Sequence, residues 1–272
     1  MAGNDNFASA RAPVFASPSN GDMARTFLHA PRASLLIRRL ERFGPLTDRE
    51  RDSLDGLAEQ TIAAAPREQI FARERAAGTP LVVLGGFLRE SFTDAEGRIQ
   101  TVAFRLPGDV VGTDLLWSSR YGFDLDALTP CRLARAPFVA GDRGGERLRA
   151  LVRTLCFVEE ARLKDRLRLV GRARAEERLL HLLVELNARQ SHVLDGVGER
   201  AWLPCSQTEI ANATGLTNVY VSKTMTRLRE RGAITIEGDM VALHDAPAIR
   251  RHVDFTDHFA RAVEQWRDPA WA

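Results

Sequence analysis

The chain has 272 residues, 44% of them hydrophobic and 27% charged, with a formal net charge of only +2. This is the composition of a soluble globular protein of one or two domains. Bulk charge does not announce a nucleic-acid binder, so any case for DNA must rest on a local constellation. Cys131, Cys156 and Cys205 are widely spaced and contain no C-x-x-C pair, which points to a reducing compartment. No apolar run approaches the ~20 residues of a membrane span, and the N-terminus has no apolar signal core, so a cytoplasmic location without membrane contact is expected.

Residues 1–30 mix Ala, Ser, Asn, Pro and Gly without periodicity and read as a disordered leader. Residues 31–143 read as one domain. It opens with a helix carrying Leu35, Leu36, Leu40 and Phe43 on one face and stopped by Gly44-Pro45. A second helix starts at Thr47, with Glu50 completing a capping box. Short strand-like runs follow at 81–84, 87–93, 99–106, 124–128 and 132–136, punctuated by Gly, Pro and Asp, which is the grammar of a jelly-roll barrel. A helix without internal Gly or Pro is predicted over 146–170, within a 144–171 segment. Its stripe of Leu148, Leu151, Val152, Leu155 and Val158 reads as a homodimer seam, or else as packing on its own barrel. Residues 172–246 form the next domain, opening with a helix over 173–189 whose Leu179, Leu180, Leu182, Leu183 and Leu186 point inward. Residues 247–272 read as a helical tail.

The decisive segment is SQTEIANATGLTNVYVSKTMTRLRERG at 206–232. Ser206 and Glu209 make a capping box. Small Ala211 lets two helices approach, Gly215 takes the tight turn, and Val221 seals the second helix on the first. Two alternating runs, 233–236 and 240–243, surround Glu237-Gly238-Asp239 and predict a β-hairpin wing. The positions of the second helix not needed for packing are Asn218, Val219, Ser222, Lys223, Thr226 and Arg227. Lys223 suits guanine O6 and N7, Ser222 suits several base edges, and Val219 suits a thymine methyl. Thr217, Arg227 and Arg229 suit phosphates, with Thr217 also capping the helix. Tyr220 is expected to pack against the domain and Arg231 to lie on a solvated face.

With these elements in this order, the chain resembles the Crp/Fnr family of bacterial transcription regulators over about residues 32–245. Besides the helix-turn-helix, the resemblance is carried by FRLPGDVVG at 104–112 and ALTPCRLA at 127–134, which look like strand-turn segments of the family's β-roll. The resemblance implies an α+β chain: an N-terminal jelly-roll β-roll of the cyclic-nucleotide-binding kind, a long dimerisation helix and a C-terminal winged helix-turn-helix. It implies a homodimer on double-stranded DNA of pseudo-palindromic sequence, with RNA polymerase as a further partner. Many members carry Glu-x-x-Ser-Arg on the recognition helix; the matching positions here are Val219, Ser222 and Lys223, closer to a subgroup with Val-His-Val-Asn-Arg.

The effector pocket maps by the same resemblance to Gly112, Thr113, Asp114, Arg120 and Tyr121. The family's phosphate-holding Arg-Ser pair falls on Tyr121 and Gly122, with Arg120 one residue away, and Asp114 would repel a phosphate. Cyclic AMP is therefore not expected, and neither is an iron–sulfur cluster, since no N-terminal cysteine cluster exists. The cysteines read as ordinary buried residues, with a redox-active thiol at Cys156 or Cys205 as the alternative. The six histidines have no compact metal-ligand spacing, and His252 and His258 read as part of a solvated tail, with a metal or haem site as the alternative. No nucleophile–base pair or phosphate-cradling Gly-rich loop is visible, so no enzyme is expected. The competing reading is a ligand- or protein-binding β-roll whose helix-turn-helix no longer reads DNA.

Overall fold

A computed structural model of the chain describes residues 19–31, 33–59, 61–75, 78–116, 118–136 and 145–267. The first 18 residues of the expected leader, the 137–144 segment and Trp271 lie outside the described residues.

The β-roll is built of two four-stranded antiparallel sheets. One has the order β1-β8-β3-β6, formed by Thr61–Ala64, Cys131–Arg135, Leu81–Gly85 and Val110–Val111; the other is β2-β7-β4-β5, formed by Gln69–Phe71, Asp124–Ala127, Leu88–Thr93 and Ile99–Arg105. All five residues of β3 are buried. Leu81 and Val83 point into the roll beside Leu88, Leu125 and Leu133, while Val82 and Leu84 point out beneath helices. A strand covered on both faces reads as a continuous apolar run, as this one does. The covering helices are α2 (Ser34–Glu41), α3 (Asp48–Asp55) and α4 (Gly145–Arg172). The Thr47 capping box starts α3 as expected.

The stripe expected to be a dimer seam does something else. Leu148, Leu151, Val152, Leu155 and Val158 are all buried against the chain's own β-roll, beside Leu36, Leu40 and Val82. The large apolar side chains that α4 leaves exposed are Phe157, Leu163, Leu167 and Val170.

The winged domain consists of α5 (Ala175–Ser191), β9 (Arg200–Trp202), α6 (Gln207–Thr214), α7 (Asn218–Glu230), β10 (Ile234–Glu237) and β11 (Met240–Leu243). Its sheet has the order β10-β11-β9, with Glu237 opposite Met240 and Met240 opposite Trp202. The tail folds back instead of extending into solvent. It contains α8 (Ala246–His252) and α9 (His258–Arg267). Phe259 is buried against Phe43, Trp266 packs edge-on to Phe43, and His258 contacts Asp165 of α4 at 2.7 Å.

Part of the expected leader is also ordered. Residues Asn20–His29 form α1, started by a Ser19–Asp22 capping box, with Met23 and Phe27 fully buried. The helix is wedged between the two domains: Phe27 stacks on Trp202 of β9 at 5.6 Å, and its carbonyl accepts from Gly86 N–H of the roll at 2.8 Å. Gly85 permits this approach, because a β-carbon there would lie 2.6 Å from the Leu28 carbonyl oxygen.

Beside this apolar joint runs a buried chain of charges. Tyr121 donates to Glu90 at 2.6 Å, Glu90 pairs with Arg105 at 2.5 Å, and Arg105 reaches Glu159 of α4 at 2.9 Å. Glu159 also pairs with Arg162 and, at 3.6 Å, with Arg39. Arg39 pairs with Asp109, which takes Arg189 of α5 at 2.5 Å. Arg189 in turn meets Glu185, which is also held by Arg166. Burial works to raise the Glu185 carboxyl, but Arg166, Arg189 and Arg162 hold it down at about 2. The path runs unbroken from the β-roll interior to the first helix of the winged domain.

Candidate nucleic-acid interface

The reading element is built from local chemistry. The Ser206 side chain accepts from Glu209 N–H at 3.3 Å while the Glu209 carboxylate accepts from Ser206 N–H at 2.6 Å, which starts α6. Gly215 ends it in the left-handed conformation, at φ 66°, with its N–H on the Ala211 carbonyl. Thr217 then caps α7, accepting from Tyr220 N–H at 3.3 Å. Val221, Thr224 and Leu228 are buried and fix α7 on the domain.

Seven predicted residues fall on or beside one open face. Val219 is 62% exposed, and Thr217, Asn218, Lys223, Thr226 and Arg227 are also exposed. Ser222 is half-buried, in a groove shared with Arg229 and with Gly238 and Asp239 of the wing turn. The Asn218 side chain is spent on Thr208 of α6, to which it donates at 2.9 Å, so it fixes the start of α7 as well as facing outward. Among the described residues no carboxylate pairs with Lys223, Arg227 or Arg229. Arg231 is not merely solvated, since it pairs with Glu176 of α5.

Tyr220 does not pack inward: it is 56% exposed. It borders a cleft of about 800 Å³ between α7 and the start of α5, shared with Arg227, Arg231, Arg174 and His252. Sequence alone places Tyr220 at the boundary between the buried and open faces of α7, and only the position of α5 decides which side it joins.

The effector residues gather around one loop of the β-roll, and most of their polar groups are tied internally, although the buried Asp114 Oδ1 has no hydrogen-bond partner among the described residues. Gly112 turns the chain at φ 76°. Thr113 lines a small crevice with Cys156, Arg39 and Arg105. The Asp114 carboxylate accepts from Gly122 N–H at 2.7 Å, and burial raises its pKa. Arg120 donates to the Glu74 carbonyl at 2.8 Å. Tyr121 is buried, packs at a tilt against the Phe71 ring and donates to Glu90. Tyr121 and Phe71 thus fill space inside the roll.

Burial pushes the Cys131, Cys156 and Cys205 thiols up, the reverse of thiolate activation. Among the described residues no His, Cys, Asp and Glu cluster is arranged to hold a metal ion, and no helix is long and apolar enough to cross a membrane.

Comparison with known proteins bears directly on this arrangement. Residues 177–252 match the Crp-like helix-turn-helix domain. The nitrogen fixation regulation protein FixK of Azorhizobium caulinodans is 34% identical over 191 residues, covering 69% of this chain and 76% of that protein. The transcriptional activatory protein AadR of Rhodopseudomonas palustris is 29% identical over 212 residues, covering 77% and 87%. Among solved structures, FixK2 from Bradyrhizobium japonicum superposes with a TM-score of 0.62 at 24% identity, covering 71% of this chain and 96% of that one. TTHB099 from Thermus thermophilus gives 0.58 at 23% identity, covering 72% and 97%, so both share the fold. With its β-roll, long helix and open recognition face, the chain belongs to the Crp/Fnr family of DNA-binding transcription regulators.

Proposed function

We propose that the chain acts in the cytoplasm as a homodimer, setting two copies of α7 into successive major grooves of a pseudo-palindromic operator and acting there on RNA polymerase. Two-fold symmetry and a half-site spacing of about one helical turn follow from that geometry. The observation that carries the reading is the open α7 face, where Val219, Lys223, Thr226 and Arg227 stand exposed around a capped and buried scaffold. The dimer rests on α4, whose Phe157, Leu163, Leu167 and Val170 are 67%, 50%, 74% and 49% exposed. Apolar side chains that recur along one helix and lack cover suit a second copy of the same helix.

The β-roll is a sensor in this reading, and its effector is not a cyclic nucleotide. Support comes from Tyr121 and Phe71, which occupy the interior, and from Asp114, whose carboxylate already takes the Gly122 N–H and would repel a phosphate brought there. The test is selection of binding sites from randomised duplex DNA with the purified full chain and no added ligand. A two-fold symmetric site is the expected result. Failure to enrich any site, with cell extract added as well as without, would reject the reading and leave an interaction module.

A further inference from the structure

The winged domain can swing on the β-roll only if the joint between them yields, and α1 is part of that joint. Its apolar side is fully engaged. Met23 and Phe27 are inaccessible to solvent, Phe27 lies parallel to the Trp202 ring, and Phe87 of the roll meets the same indole edge-on at 5.7 Å. Its C-terminal end is fastened to the roll through Gly86 N–H on the Phe27 carbonyl and Arg132 on the Ala30 carbonyl. Its N-terminal end is fastened to the winged sheet. Asn20 accepts from Arg200 of β9 at 3.1 Å and donates to Glu237 at 2.7 Å, and Glu237 is the last residue before the wing turn. One helix of 10 residues therefore bridges the β-roll, strand β9 of the winged sheet and the wing itself.

We propose that α1 is a positioning element of the DNA reader: through Asn20 and Phe27 it fixes the angle at which the wing and recognition helix stand on the β-roll. This rests on the dimeric reading above. In such a dimer the pose of each winged domain on its roll sets the distance between the two recognition helices. A rigid joint thus pre-organises the pair for one half-site spacing, while the contacts to any single half-site are made within α7 alone.

Spacing preference therefore separates positioning from mere support of the fold. The experiment measures affinity of the full-length wild type, Asn20→Ala and Phe27→Ala for three kinds of duplex: a single half-site, the palindrome at its selected spacing, and palindromes one base pair longer or shorter. Asn20→Ala removes only peripheral polar ties and keeps the melting temperature near wild type. Phe27→Ala opens a cavity, and Phe27→Leu is the filled control. The expected result is that Asn20→Ala and Phe27→Ala flatten the spacing preference severalfold while single half-site affinity stays within about twofold. Phe27→Leu should restore the melting temperature but only part of the spacing preference.

An unchanged spacing profile in both alanine variants overturns the proposal. So does an equal loss of affinity on all duplexes, which is what general destabilisation gives. A wild type that binds a half-site but shows no spacing preference at all overturns the positioning role and leaves DNA reading standing. A wild type that binds no half-site overturns DNA reading itself, and the positioning role with it.

Discussion

Val219 stands one helical turn before Lys223, and both project from the face of α7 that the domain leaves open. An isopropyl group has no hydrogen bond to offer a base edge, and its apolar complement in the major groove is the thymine methyl. Replacing that thymine by deoxyuridine in the selected site should weaken binding roughly fourfold per half-site, the worth of about 0.8 kcal/mol for one carbon withdrawn from contact. Competition binding measures it, and equal affinity for the two duplexes would remove Val219 from the base-reading set. Lys223→Ala should cost about 1–3 kcal/mol and relax one base position, read by repeating the site selection with the variant. An unaltered selected motif would sink the assigned docking. Much of this surface was legible in the sequence because capping boxes, Gly215 and the apolar spacing fix which side of each helix is inward. Tyr220 was not, because its exposure depends on where α5 stands, and that contact is set far away in the chain.

The long helix α4 illustrates what periodicity can and cannot say. The recurrence of Leu148, Leu151, Val152, Leu155 and Val158 correctly marked a buried face, but burial carries no label for the partner, and that partner is the chain's own sheet. The open apolar positions Phe157, Leu163, Leu167 and Val170 are interrupted by Glu160 and Lys164, so they read as a mixed surface until the helix is seated. Leu167→Asp should convert a dimer into a monomer, as two buried leucines worth about 1.5–3 kcal/mol each are lost per dimer. Sedimentation at micromolar concentration checks it; a variant that stays dimeric would place the interface elsewhere. Helix α1 was missed for a different reason. It buries only Met23 and Phe27, too few positions for a periodic signal among Asn, Gly, Asp, Arg and Thr, although the Ser19–Asp22 capping box was there to be seen. Strand β9 is three residues long and ends before Leu203-Pro204, which leaves no alternation to detect.

For the molecule as a whole, the ionic joint sets a pH limit. Glu185 is held at about 2 against an ordinary 4.5, and Asp257, despite burial pushing it up, is held at about 2 by His192. A carboxylate depressed in the folded state adds stability that is complete above its unfolded pKa and is lost as pH falls toward the folded value. The carboxylate share of stability should therefore hold from neutrality to about pH 5 and fall between about 4.5 and 2, as Glu185 releases Arg166 and Arg189. Burial lowers His181 and His192 from the ordinary 6.5, so their smaller share is already lost as pH falls below that value. Scanning calorimetry across that range tests it, and a melting temperature flat down to pH 2 would show that the pairs add nothing. Trp202 has a consequence of its own. Its indole is 1% exposed and lies between Phe27 of α1 and Phe87 of the roll, at the seam where the two domains would part. The protein thus carries a native optical gauge of domain separation. Wetting of this one ring would redden the tryptophan emission while the helices on either side, and their circular dichroism, stay intact.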